Sequence, residues 1–365
     1  MKTRRYGWQP PHCPNPNCNH HHGLAEGWRY KRRGFFLRRI RPYRIQRFTC
    51  LTCGRNFSSQ TFSTTYWQKR PELDEKILLM TVGCMANRQI ARALRAAPST
   101  IDRHIARLGR HCMVLHMKLL EGVPSPPEIV FDGFESFELS QYHPFHHNIA
   151  VEPDNGFFLY HTDSPLRRKG RMTDVQKRRR TELEAKLGRP DPKAVQFGIR
   201  ELLDFVTRGR TVITGRSDEH PAYRRSIPQL VCRVRHLVTS SKDHRDKHNP
   251  LWEVNLADLM IRHCTAAHKR ETIAWVKRRQ SSAERLSIFM VWRNLMKRRW
   301  EKGPAVSSGM LKGVTDRLWS ARDVLGQRVF RTRTQLPQAW DRYYERVVVT
   351  AGLGRNHRHT LMYAY

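Results

Sequence analysis

Glu128-Ile129-Val130-Phe131-Asp132-Gly133 is a short apolar strand that ends on a carboxylate, with glycine directly after it. Two further strands follow, His147-Asn148-Ile149-Ala150-Val151-Glu152 and Phe157-Phe158-Leu159-Tyr160-His161-Thr162. Pro153-Asp154-Asn155-Gly156 joins them, and Asp-Asn-Gly between apolar runs is a hairpin signal. Asp132 therefore lies on the first strand of a meander. Further along, Thr211-Val212-Ile213-Thr214 reads as another strand, with Asp218 shortly beyond it in Ser217-Asp218-Glu219-His220-Pro221-Ala222-Tyr223. An acid just past a strand end, followed by proline and a helical stretch, points its oxygens over the sheet edge. Two such carboxylates on neighbouring strands suit a pair of Mg²⁺ ions about 4 Å apart. Taken singly, each is equally a cap or turn residue.

Upstream, the Pro-rich break Val123-Pro124-Ser125-Pro126-Pro127 separates the meander from a helical stretch. Pro71 and the acids Glu72, Asp74 and Glu75 open a helix running through Ile77-Leu78-Leu79-Met80-Thr81-Val82 to Gly83. Asn87 is placed to cap a second helix, with Ile90, Ala91 and Leu94 inward, and Ser99 a third, with Ile101, Ile105 and Leu108 on one face. The pattern is a helix-turn-helix. Its last helix, 99–109, leaves Thr100, Arg103, His104 and Arg107 outward, where a major-groove helix carries its contacts. Any small helical domain would share these spacings.

Further upstream lie Cys13-x4-Cys18 and Cys50-x2-Cys53-Gly54. Two Cys pairs brought together across a hairpin make a thiolate cage for Zn²⁺. Gly27-Trp28-Arg29-Tyr30 and Tyr43-Arg44-Ile45-Gln46-Arg47-Phe48-Thr49 alternate as its strands. His12 and His20–His22 crowd the first pair as substitute ligands. So small and charged a module needs metal for much of its folding energy. Cys84, Cys112, Cys232 and Cys264 lack paired spacing and read as small buried residues.

The 365 residues carry 67 Lys+Arg against 32 Asp+Glu, a net charge of +35. Such self-repulsion is useless to an enzyme of small metabolites and useful to a protein docking on a polyanion. With 39% hydrophobic residues the chain is too apolar for a disordered basic tail. No apolar stretch approaches a bilayer span. Met1-Lys2-Thr3-Arg4-Arg5 leads into Pro, Cys and His rather than into an apolar leader. Basic runs recur at Arg167-Arg168-Lys169-Gly170-Arg171 and Lys177-Arg178-Arg179-Arg180, where Asp174–Leu187 reads as a helix ended by Gly188 and Pro190. Residues 261–300 read as helical and strongly basic, with Ile273, Val276, Ile288 and Val291 as a core stripe and an outer face of Lys and Arg beside the acids. The histidines 143, 146 and 147 invite a second metal site, but solvated or core histidines are commoner.

Zinc ribbon, helix-turn-helix, strand-Asp, meander and strand-Asp stand in that order. Asn249-Pro250-Leu251-Trp252-Glu253-Val254-Asn255-Leu256-Ala257-Asp258-Leu259-Met260-Ile261-Arg262 follows, then Lys269-Arg270-Glu271-Thr272-Ile273-Ala274-Trp275 and Arg278-Arg279-Gln280. Over residues 10–300 the whole resembles bacterial insertion-sequence transposases with an RNase H-like acidic-triad domain. Phe131-Asp132-Gly133-Phe134-Glu135-Ser136-Phe137 and Asp218-Glu219-His220-Pro221-Ala222-Tyr223 are similar to the first two acid motifs.

The resemblance implies a multidomain α/β chain. Residues 1–60 would be a zinc ribbon, 70–122 a helix-turn-helix, and 123–300 an RNase H-like mixed sheet with flanking helices and a basic helical insertion at 165–200. Residues 301–365 would be an extension without a readable role. It further implies Mg²⁺ or Mn²⁺ on Asp132, Asp218 and a third acid carried on a later helix, and Zn²⁺ on Cys13, Cys18, Cys50 and Cys53. Double-stranded DNA as partner, a homodimer or larger assembly, and a cytoplasmic, nucleoid-associated location follow from the same likeness. Candidates for the third acid are Glu253, Asp258, Glu271 and Glu284. Asp258 is preferred, with Asn255 as a cap upstream and Arg262 one turn on, although Glu253 has the more usual spacing. Two other readings share the charge and the zinc: a transposase-derived DNA-binding regulator without chemistry, and an RNA-processing nuclease.

Overall fold

The computed structural model describes residues 8–23, 27–269 and 271–358. The Met1–Arg5 opening and Arg270 lie outside the described residues. β4 (Glu128–Phe137), β5 (Pro144–Val151) and β6 (Phe158–Pro165) form the antiparallel meander. β7 (Val212–Ser217) and β8 (Arg233–Val238) run parallel to β4, which gives a five-stranded mixed sheet ordered β6-β5-β4-β7-β8. A smaller antiparallel sheet, β1 (Tyr30–Leu37), β2 (Arg44–Cys50) and β3 (Asn56–Ser58), builds the N-terminal module. Among the described residues no helix is long and apolar enough to cross a membrane.

The helices run α1 (Asp74–Val82), α2 (Asn87–Ala93), α3 (Pro98–Leu119), α4 (Asp174–Leu187), α5 (Ala194–Val206), α6 (Pro221–Ser226), α7 (Trp252–Cys264), α8 (Arg279–Val291), α9 (Ser308–Leu311), α10 (Ala321–Gly326) and α11 (Gln338–Tyr344). α5 packs Ile199, Leu202 and Leu203 on one sheet face, where Gly198 lets the helix approach: a Cβ there would lie 2.2 Å from Ser164 Oγ. α7 and α8 cover the other face. His147 on β5 and His161 on β6 reach Ser282 and Ser287 of α8 at 2.8 and 3.0 Å. α3 crosses α8 at Gly109, where a Cβ would come within 2.5 Å of the Glu284 carbonyl oxygen.

Several expectations are corrected. Ala86 and Ala97, not Asn87 and Ser99, precede α2 and α3 as caps. The Gln89 side chain satisfies the Ala86 N–H at 2.8 Å, and Pro98 opens α3. The third helix continues to Leu119 instead of stopping at 109, because its C-terminal half is a core element. Ala194–Val206, whose first seven residues fall within the expected basic insertion, is likewise a core helix, whereas α4 lies wholly on the surface. Residues 261–300 are not one helix. The chain leaves helical structure between His268 and Arg279, and Ile273 is 94% exposed while Val276, Ile288 and Val291 are buried.

The basic face expected there is largely internal. Arg279 pairs with Asp163 of β6 at 2.5 Å, and Arg285 is buried against Asn87 at 2.9 Å. The described part of the C-terminal extension, residues 301–358, is no appendage: Trp340, Tyr343 and Val324 join one core with α1, α3 and the sheet. Boundaries at 122 and 300 therefore do not separate cores. A second cluster (Trp28, Phe48, Phe57 and three of the cysteines) belongs to the N-terminal module. That module docks on the C-terminal segment, with the His12 and Phe62 rings 5.1 and 5.4 Å from Phe330 and His21 Nε2 2.8 Å from Thr332 Oγ1.

Candidate functional site

Parallel pairing of β4 with β7 ends at Val130↔Arg216, one residue before β7 itself ends at Ser217, while β4 continues to Phe137. Asp132 comes two residues after that pairing ends, on the stretch of β4 still held by β5 opposite Ile149. Asp218 comes directly after β7, and its Oδ1 accepts the His220 N–H at 2.9 Å, a turn that starts α6 at Pro221. Asp258 comes from the middle of α7, which packs on β4 and β5. α7 starts at Trp252, so Asn255 lies inside it; Asn249 Oδ1 instead accepts the Leu251 N–H at 2.8 Å. All three carboxylates are half-buried.

Asp132 senses the other two. The Asp132 carboxyl is pushed up to about 6, first by burial and then by the charges of Asp218 and Asp258. The Gly133 backbone N–H and the Tyr223 hydroxyl oppose the shift, the latter donating to Asp132 Oδ1 at 3.2 Å. Arg262, one turn beyond Asp258, reaches both its oxygens at 3.2 Å. Its guanidinium also lies 5.3 Å from the centre of the Phe134 ring. All-oxygen, carboxylate donors suit hard cations such as Mg²⁺ or Mn²⁺, and a cation would relieve the mutual repulsion.

The other candidate acids are engaged elsewhere. Glu253 is buried in an ion pair with Arg299, and a Cβ on Gly156 of the meander hairpin would lie 2.7 Å from its Oε2. Glu284 is buried under α3 and holds Gln280 Nε2 and Arg346 Nε, each at 3.1 Å. Glu271 sits in the loop before α8, with φ at +52°.

In the sequence, Tyr223 stands within a motif and has no role of its own. Its hydroxyl is what sequence reasoning missed, and only its place five positions past Asp218 signals it. His146, near Asp218 and with its ring 6.1 Å from that of His220, flanks the same cluster. His146 fills the space beside Gly133, where a Cβ would clash with the ring at 2.1 Å.

The four cysteines 13, 18, 50 and 53 bring their sulfurs within 4.8 Å of one another, the one such metal-compatible group among the described residues. Cys13 Sγ to Cys53 Sγ is 3.7 Å and Cys18 Sγ to Cys50 Sγ is 3.9 Å. Sulfurs around a tetrahedral Zn²⁺, at about 2.3 Å each, stand roughly 3.8 Å apart. The donor set and spacing are compatible with zinc in a closed structural site. Trp28 Nε1 donates to Cys50 Sγ at 3.2 Å. The neighbouring histidines are not in the cage: His12 Nδ1 and His21 Nδ1 lie 2.9 and 2.8 Å from the Cys13 carbonyl oxygen.

On α3 the expected outward face is half wrong. Arg103 is exposed and Thr100 half-exposed. His104 is buried, its Nδ1 2.6 Å from Asp74 on α1. Arg107 turns back to the Thr64 carbonyl at 3.3 Å and to that of Tyr66. Both turn inward because α3 packs against α1 and the 59–67 segment at once. The exposed positive charge lies instead beside the start of α3, where Arg88, Arg92 and Arg95 line an open recess of about 290 Å³.

No known protein family and no curated protein matches the chain. Similar solved structures include two complexes. One is a chain of the simian T-cell lymphotropic virus intasome in complex with PP2A regulatory subunit B56 gamma, at 12% identity and TM-score 0.24, over 52% of this chain and 55% of that one. The other is the Mos1 mariner paired end complex with Mn, at 10% identity and TM-score 0.23, over 74% of this chain and 77% of that one. The chain spans about half the length of the first. At these scores neither likeness carries an argument about fold or chemistry.

Proposed function

We propose that the chain is a DNA transposase of the insertion-sequence kind, with Asp132, Asp218 and Asp258 as the metal-binding triad of an RNase H-like domain. What supports the reading is that Asp132 on β4 feels the charges of Asp218, at the end of β7, and Asp258, on α7, although the oxygens of the three do not all lie within 4.8 Å of one another. Mg²⁺ or Mn²⁺ held there would activate water and steady the leaving oxygen in phosphodiester cleavage. The chain's own groups do the rest. Tyr223 orients the Asp132 carboxylate, and Arg262 holds that of Asp258. The Gly133 N–H favours the ionised form of Asp132 that a cation needs.

In this reading, Zn²⁺ on the four cysteines holds the N-terminal module, and Thr100 and Arg103 contact the element ends with Arg88, Arg92 and Arg95 beside them. A freed 3′-OH then attacks target DNA. Holding two ends at once calls for at least a dimer, working on the DNA of a bacterial cytoplasm.

The test is Mg²⁺-dependent cleavage of linear DNA carrying the element's ends, wild type beside Asp132→Asn. Cleavage at the ends, lost in the variant with end binding nearly intact, is the expected outcome. Tight end-specific binding without cutting in Mg²⁺ or Mn²⁺ would replace this reading with a non-catalytic DNA-binding regulator.

A further inference from the structure

Lys31 to Leu37 of β1 are exposed without exception, on both faces of the strand. Such a strand is not part of a core; it is presented. Phe35, Phe36 and Leu37 are 45, 40 and 80% exposed, and Tyr43 across the turn is 56% exposed. A run of apolar side chains in water is unfavourable unless something covers it. The charge around it names the cover. From Tyr30 to Arg47 the sequence has eight Lys or Arg, and no acid occurs from Gly27 to Pro71.

The arm is also held firmly. At its root Tyr30 pairs with Cys50, one of the four clustered cysteines, so the four-sulfur cage sets its direction. At its far end the Arg38 N–H donates to the Tyr43 carbonyl at 2.8 Å, and the Arg38 guanidinium reaches the Gln68 carbonyl at 3.2 Å. Arg44 lies 3.7 Å over the Phe35 ring, joining the cationic and apolar parts of one surface. Two strands about 4.8 Å apart, with their side chains, match the roughly 12 Å major groove of B-form DNA.

We propose that the β1–β2 hairpin is a DNA-binding ribbon that lies in the major groove of the duplex. Arg32, Arg39 and Arg44 meet phosphates, and Phe35 and Leu37, on the face they share with Arg44, pack against the groove. This rests on the reading of the chain as a DNA-end-binding protein and adds a second contact surface to that of α2 and α3.

The experiment uses the full zinc-loaded chain and a labelled DNA duplex of about 30 bp, with anisotropy followed from about 50 to 200 mM salt. The variant Arg32→Gln/Arg39→Gln/Arg44→Gln is expected to bind about tenfold or more weakly at the low-salt end. Its plot of log affinity against log salt flattens by about 2–3. Phe35→Ala/Leu37→Ala weakens binding and leaves that slope unchanged. All five replaced side chains are exposed, so the core of the module is untouched. Wild-type affinity and slope in the triple variant would overturn the proposal. So would equal competition by duplex RNA, whose deep, narrow major groove excludes a ribbon. Hairpin-dependent binding without cleavage would sink the transposase reading and leave the ribbon standing, so the two failures are distinguishable.

Discussion

The Tyr223 hydroxyl donates a hydrogen bond to Asp132 Oδ1 at 3.2 Å and so ties the first turn of α6 to the central strand of the sheet. The same ring meets Phe131 edge-on with centroids 5.1 Å apart, so it is packed as well as bonded. Asp218 lies three positions before Pro221, where α6 begins, so this contact ties the element that follows Asp218 to the strand that carries Asp132.

Tyr223→Phe keeps the ring and removes the hydroxyl. Hydrogen bonds to charged groups contribute about 1.5–3 kcal/mol, so Mg²⁺-dependent cleavage should fall by roughly 10- to 100-fold with the melting temperature nearly unchanged. Asp132 would also become harder to ionise, and raising Mg²⁺ should recover part of the rate. An unchanged rate at limiting Mg²⁺ would remove Tyr223 from the site.

Asp258 and Glu253 are separated by one experiment. Asp258→Asn should abolish cleavage and leave folding intact, since its carboxylate is partly exposed and its partner, Arg262, is also within reach of solvent. Glu253→Gln should do the reverse. It leaves the buried Arg299 without its counter-charge, a loss on the order of 3–5 kcal/mol, and the melting temperature drops. Lost activity in a well-folded Glu253→Gln protein would make Glu253 the third acid.

Strands, turns and metal spacing were legible in the sequence because they are local. Asp154-Asn155-Gly156 makes the meander turn where it reads as one, and α4 spans Asp174–Leu187, ending before Gly188 and Pro190 as they require. The Cys spacing brings four sulfurs together. What was not legible depends on distant partners. His104 looks outward on a wheel drawn for one helix, but α1 brings Asp74 against it. Arg279 looks like part of a solvated basic run until β6 supplies Asp163. The core role of Trp340 and Tyr343 is equally non-local: Trp340 Nε1 donates to the His161 carbonyl at 2.9 Å, across 179 positions of chain.

Cys50→Ser removes one ligand from a module whose apolar core is three aromatic residues and the cysteines themselves. Bound zinc should be lost and residues 8–62 should become protease-sensitive, because metal binding and folding are one event in such modules. Binding to DNA ends should weaken, while Mg²⁺ binding at the acid cluster persists. Full resistance to proteolysis in verified metal-free protein would show that the cysteines are not a structural site.

The last prediction concerns acid. His111, His116 and His147 are fully buried, and burial lowers each from about 6.5 to about 4. His161 and His268 are lowered well below 6.5 for the same reason. Their hydrogen bonds are those of neutral rings: His111 Nε2 lies 2.9 Å from the Val324 carbonyl and His116 Nε2 2.9 Å from that of Leu159. Below pH 6.5 the unfolded chain takes up these protons and the folded chain does not. Stability is therefore complete above about pH 6.5 and falls as pH drops towards 4, by on the order of 3 kcal/mol per histidine at the limit. Asp132 opposes this, since its folded carboxyl, pushed up to about 6, binds a proton before the unfolded one does. Glu138 and Asp204, whose carboxyls burial also raises, act in the same direction as Asp132, but the five buried histidines outnumber these acids and dominate. Urea midpoints measured without Mg²⁺ should fall between pH 7 and pH 5, and His116→Gln should shallow that fall. Equal midpoints at the two pH values would mean that the buried rings find counter-charges on protonation.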